Sequence, residues 1–231
     1  VLFGLSLPPD FLVSVVVVLV PMILSLTVHE YAHAWTAWKL GDDTAARQGR
    51  LTLSPVAHID VFGTILVPLF GVFSSGFGLI GWARPVPISP HRFSRNITMR
   101  TGMIVTAAAG PLSNLLLAVV AIATYALLVR VAPSLVAHVG PRGSGVVRLL
   151  QSMFLLNIGL FVFNLFPIPP LDGSRLLPRS MDNFVASVGP YSWILLLLII
   201  NFAPVLLTVP VGLVAHLLEA LFQTRILGGW L

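Results

Sequence analysis

Apolar residues run almost unbroken from Phe11 to Leu26, and helical spacing continues through His29 and His33 to about Leu40. Gly41-Asp42-Asp43 then supplies helix-stop and turn chemistry. The pattern predicts a first helix over 11–40, followed by a polar stretch over 44–60. A second apolar stretch, 61–81, carries Gly63, Pro68, Gly71, Gly76, Gly78 and Gly81, with Ser74-Ser75 midway. Irregular backbone cannot face lipid, but it can enter a membrane packed against protein. Residues 61–87 therefore read as a re-entrant segment, with a β-hairpin as one option. Further helices are expected over 101–131 and 146–166. The last apolar run, 191–222, is interrupted by Pro204 and Pro210, so it is one kinked span or two short ones.

These elements predict an all-α polytopic membrane protein with four to six transmembrane helices in a single domain over residues 1–231. Composition points the same way. The 231-residue chain is 57% hydrophobic and 9% charged, against roughly 25% charged in a soluble domain. A soluble fold of this size could not cover that much apolar surface, whereas a bilayer removes the need.

Charge adds orientation and excludes one class. The net charge is +5, yet there is no long basic run interleaved with aromatics, so nucleic acid is not the expected partner. Lys39, Arg47 and Arg50 precede the re-entrant segment, and Arg84, Arg92, Arg95 and Arg100 follow it. Positive-inside bias puts both flanks on the cytoplasmic side of a cell (inner or plasma) membrane. The first apolar run is too long for a cleavable signal, and no small-residue cleavage site follows it. Cysteine is absent, so a metal would be held by His, Asp or Glu.

His29-Glu30-Tyr31-Ala32-His33 supplies such a pattern. Positions i and i+4 share a helix face, so two imidazoles can reach one zinc ion. The intervening glutamate can take a proton from an attacking water. With six histidines and two glutamates in the chain, a chance H-E-x-x-H is expected on the order of once in a thousand such sequences. Its position deep in an apolar helix makes the cluster costly unless it serves a purpose, about 2.5–3.5 kcal/mol for one charge at a membrane centre. The competing reading is an interfacial polar cluster at a helix end.

A catalytic zinc usually takes three protein ligands and leaves one position open. Asp172 is the expected third ligand. It follows Pro167, Pro169 and Pro170, which break the preceding helix, and the inferred topology returns it to the side of His29 and His33. Glu219 is the rival, in an i, i+3 pair with His216. His58 and Asp60 form another pair, expected to anchor the re-entrant loop together with Arg50. Asparagines in apolar helices serve interhelical hydrogen bonding by default. Asn114 and Asn164 are also placed to line a site and to offer amide donors to a substrate.

The motif at His29–His33, together with N-x-x-P-x-P-x-L-D-G from Asn164 to Gly173, resembles the site-2 protease family of intramembrane zinc metalloproteases. Gly49 to Thr64, Gly81 to Pro87 and Gly110 to Asn114 are similar to its compact prokaryotic branch. The resemblance covers roughly residues 10–200. It implies one zinc ion on His29, His33 and Asp172, with Glu30 as general base. It also implies that Asn114 and Asn164 lie near the substrate, which could add as a strand beside 61–87. The expected substrates are membrane-embedded proteins or peptides, such as tethered regulators or signal-peptide remnants. No PDZ insertion separates the core helices, and no appended regulatory domain is expected. Two other classes fit parts of the pattern: a metal or solute transporter, which should show repeated broken helices, and an inactive scaffold, which normally lacks one of the four residues.

Overall fold

In the computed structural model the described residues are 11–74, 81–136 and 144–228. The first apolar run forms α1, Phe11–Lys39, about 43 Å long at 1.5 Å per residue. It ends where Gly41 adopts φ 106°, a left-handed conformation that any side chain would resist. Asp42 is fully buried just after this turn. One of its carboxylate oxygens accepts from Thr44 N–H at 3.0 Å, at the start of a short α2, Thr44–Arg47.

The 61–87 stretch is divided. Val61–Leu66 forms a π-helical turn that continues into α3, Val67–Ser74. This helical arm is about 21 Å long, too short to cross a hydrocarbon core of roughly 30 Å. Residues 75–80, which hold Gly76 and Gly78, lie outside the described residues. From 81 to 89 the chain forms no helix or strand, and it comes back beside its own start: Trp82 N–H donates to Gly63 O at 3.2 Å, and Thr64 Oγ1 donates to Trp82 O at 2.8 Å. Gly63 is required there, since a Cβ would sit 2.4 Å from the Trp82 ring. The β-hairpin option is not met among the described residues, which contain helices and no strand.

Met99–Val131 forms α4, capped by the Thr98 hydroxyl accepting from Thr101 N–H. A short α5, Pro133–Val136, precedes α6, Gly145–Asn164. Helices α1, α4 and α6 pack against one another as the central unit. After α6 the chain turns through a 3-10 segment, Asp172–Leu176, to α7, Asp182–Val188. The final run is two helices, α8 (Ser192–Phe202) and α9 (Val205–Leu221), broken at Ala203-Pro204. Leu196 of α8 packs with Ile168 and Leu171 near one end of α6, while Ala215 of α9 packs with Val147 and Ile226 near the other. The two halves thus follow each other along the bundle.

The surface is apolar, and several polar residues are enclosed beside an apolar core. Leu112, Leu116, Val120 and Leu127 of α4 and Trp193, Ile194 and Leu197 of α8 are exposed. Ser25, Thr106, Asn114 and Asn157 are fully enclosed between helices. Four described helices are long and apolar enough to cross a membrane. Small residues of α4 packed against α6, such as Ala118 and Ala121, let the backbones approach.

Candidate metal centre

The two histidines of α1 lie one turn apart, and both are about 6% exposed. Each ring is fixed by its Nδ1. Asn114 donates through Nδ2 to Asn157 Oδ1 at 2.9 Å and to Ser25 O at 3.4 Å, which leaves its Oδ1 to accept from His29 Nδ1–H at 2.6 Å. His33 Nδ1–H donates to Thr106 O at 2.7 Å. Both Nε2 lone pairs therefore point inward, 3.0 Å apart. Asp172 Oδ2 lies 3.3 Å from His29 Nε2 and 3.2 Å from His33 Nε2.

Three acceptor atoms at this spacing repel one another unless a cation sits among them. Ligand atoms about 2.0–2.1 Å from a tetrahedral zinc lie roughly 3.3 Å apart, and the observed separations match. A carboxylate ligand must be ionised, and a cation held between Asp172 and the two Nε2 lone pairs favours that form. The three residues form a group able to hold a metal ion, with donor atoms all within 4.8 Å of one another.

Two glycines make this convergence possible. A Cβ on Gly110 would sit 2.3 Å from His33 Nε2 and 2.6 Å from His29 Cε1, so α4 reaches the imidazoles only because that position is bare. A Cβ on Gly173 would sit 2.2 Å from Leu165 O, so the turn that presents Asp172 closes only around glycine.

Glu30 faces the 81–89 segment. Its Oε2 accepts from Val86 N–H at 2.8 Å. The carbonyls of Arg84 and Pro85 accept from the buried guanidinium of Arg50 at 2.5 and 3.4 Å. Arg84 N–H donates to His58 O at 2.9 Å, and Ser89 N–H donates to Asp42 Oδ2 at 2.6 Å. Residues 84–89 are thus pinned beside the helix that carries the histidines.

Of the remaining candidates, Asn114 backs the centre through His29 and the others fall elsewhere. Asn114 is fully buried, with its amide engaged by His29, Asn157 and Ser25. Asn164 is partly buried and donates to Leu160 O at 3.0 Å. Glu219 is remote from the centre: it accepts from Leu227 N–H at 3.0 Å and lies 3.7 Å from His216. His58 and Asp60 hold the re-entrant arm, His58 Nε2–H donating to Thr52 O and Asp60 accepting from Gly63 N–H. Thr106, Gly110 and Val86 act through backbone, which side-chain chemistry does not flag; a glycine inside a helical pattern is the one signal available.

A family model, described as peptidase family M50, matches residues 17–207. The chain belongs to this family, the site-2 protease family. The M50 chain is 36% identical over 201 residues to a Bacillus subtilis (strain 168) protein named "Putative zinc metalloprotease YwhC", covering 85% of this chain and 82% of the relative. It is also 31% identical over 194 residues to "Putative zinc metalloprotease Rip2" of Mycobacterium tuberculosis (strain H37Rv), covering 83% and 68%. No solved structure matches it. Together with the apolar helices, these matches make the M50 chain a multi-pass membrane zinc metalloprotease, which sets the transporter and scaffold readings aside.

Proposed function

We propose that this M50 peptidase hydrolyses peptide bonds in or beside transmembrane segments of other membrane proteins, with its active site at the cytoplasmic end of the bundle. The observation that carries this is the convergence of His29 Nε2, His33 Nε2 and Asp172 Oδ2 at 3.0–3.3 Å among lipid-facing helices. In this reading His29, His33 and Asp172 hold one zinc ion. Bound zinc would supply Lewis-acid activation of water and of the scissile carbonyl. Glu30, one residue along the same helix, accepts the proton of the attacking water and returns it to the leaving amine. Val86 N–H, bonded to its other flank, fixes the carboxylate while it does so.

Asn114 positions His29 by accepting its Nδ1–H, and the amide relay through Asn157 and Ser25 holds Asn114 in turn. Asn164 remains the candidate for meeting the substrate, from the end of α6. A helical substrate hides its carbonyls, so it must unwind before attack. Residues 81–87 form no helix or strand and lie beside Glu30, which supports them as a surface against which an unwound segment is held. The arginines flanking the re-entrant arm support the cytoplasmic side. Regulated release of tethered proteins and clearance of signal-peptide remnants are both compatible with such a site.

The test is cleavage of a single-span substrate in liposomes by wild type, Glu30→Gln and Asp172→Ala, with zinc measured in each. Cutting by wild type alone, zinc kept by Glu30→Gln and zinc weakened by Asp172→Ala, supports every role above. Equal cutting by Glu30→Gln would sink the mechanism.

A further inference from the structure

A cavity of about 310 Å³ is lined by residues that neighbour the metal centre along the chain, and none of the roles above uses it. One wall is the first turns of α4, with Met99, Arg100 and Met103; the other is the chain after Asp172, with Ser174, Arg175 and Leu177. Both walls lead to the centre. Thr106, whose carbonyl holds His33, is one turn above Met103 and about two above Met99. On the opposite wall Ser174 and Arg175 follow Asp172 by two and three residues. Arg100 braces the walls together, donating to Leu177 O and pairing with Asp182 at 3.3 Å.

The charges in the lining do not cancel. Arg100 is matched by Asp182, which also borders the cavity. Arg175 is exposed and makes no hydrogen bond or ion pair among the described residues. The cavity therefore presents one unmatched cation against a partly apolar floor of methionine and leucine. Its size is at the lower end of ligand-binding clefts.

We infer that this cavity is the subsite for the part of the substrate leaving the metal centre toward the near end of the bundle, and that Arg175 selects an acidic side chain there. This rests on the protease reading. Walls continuous with the metal centre fit the chain being cut better than a lipid headgroup. From the level of Thr106 to that of Met99 is about 10 Å along the helix. An extended peptide covers that distance in about three residues. The preferred acid should therefore stand roughly two to four residues from the scissile bond.

The experiment uses the full chain, zinc-loaded, in zwitterionic liposomes. Single-span substrates differ only by Glu, Gln or Lys placed at each of the first five exit-side positions. Wild type is expected to favour Glu over Lys by about 2- to 5-fold in kcat/KM at the two-to-four positions, the range of an exposed ion pair. Arg175→Gln should flatten that ratio and Arg175→Glu should invert it. An unchanged ratio in all three proteins overturns the inference. So does an Arg175→Glu effect that is equal for every substrate and follows added anionic lipid, which would assign the cavity to headgroups. Binding of the same labelled substrates to Glu30→Gln, with and without Arg175→Glu, reads the preference without turnover. Selective binding with no cutting by wild type would keep the subsite and reject the protease reading instead.

Discussion

At the scale of single residues, the centre depends on what is missing at position 110 as much as on its ligands. In Gly110→Ala the new Cβ would overlap His33 Nε2. Both rings are held from behind by Asn114 and Thr106, so they cannot retreat without losing those bonds. The expected result is loss of bound zinc and at least a tenfold fall in cleavage, measured as metal content and rate on the same preparation. Asn114→Leu tests the opposite side of His29. It removes the acceptor for Nδ1–H and leaves Asn157 Nδ2 with Ser25 and Met153 O but Asn157 Oδ1 without its donor. Zinc affinity should fall by roughly 10- to 100-fold, and a competition titration with a chelator measures it. Unchanged affinity would mean that the amide relay only packs helices.

At the scale of elements, the 84–89 segment is fixed by contacts from four places earlier in the chain: Glu30, Asp42, Arg50 and His58. Asp42 is fully buried and serves both the α1–α2 turn and Ser89 N–H. Replacing it with alanine leaves those part-buried donors without the carboxylate, at a cost of up to about 1–3 kcal/mol each. Asp42→Ala should keep zinc, because the ligands are untouched, while raising KM and lowering cleavage through a displaced segment. Steady-state kinetics beside metal analysis separates this from simple unfolding. If metal is lost in parallel with activity, the turn supports α1 rather than the segment.

At the scale of the whole molecule, the proposed ligands come from α1 and from the turn after α6, two parts of the chain far apart in sequence. A bound ion therefore ties the bundle together, and it stabilises the folded state by RT ln(1 + [L]/Kd), about 2.7 kcal/mol at a hundredfold excess over Kd. Chelation should abolish cleavage and lower the melting temperature in detergent, and added zinc should restore both. In Asp172→Ala the zinc-dependent part of the melting shift should shrink sharply. A melting temperature indifferent to chelator in wild type would argue against a metal bridging these elements.

The spans and the metal motif were legible in the sequence because each is a local property. Apolar runs report their own solvent, and histidines four apart share a helix face whatever surrounds them. Proline and glycine also marked the breaks at 61–81, 167–170 and 203–204. The division of 61–87 into a helical arm and an irregular return was not legible, since short apolar runs do not distinguish helix from strand. Nor was the engagement of Asn114 by His29, of Glu30 by Val86 N–H, or of His33 by Thr106 O. Those depend on which backbone atoms helix packing brings within 3 Å, over separations of 56 to 85 residues. Sequence alone picked out the side chains of the candidate centre; only the tertiary structure decided which lone pairs face inward, because ring orientation is set by partners that no local pattern encodes.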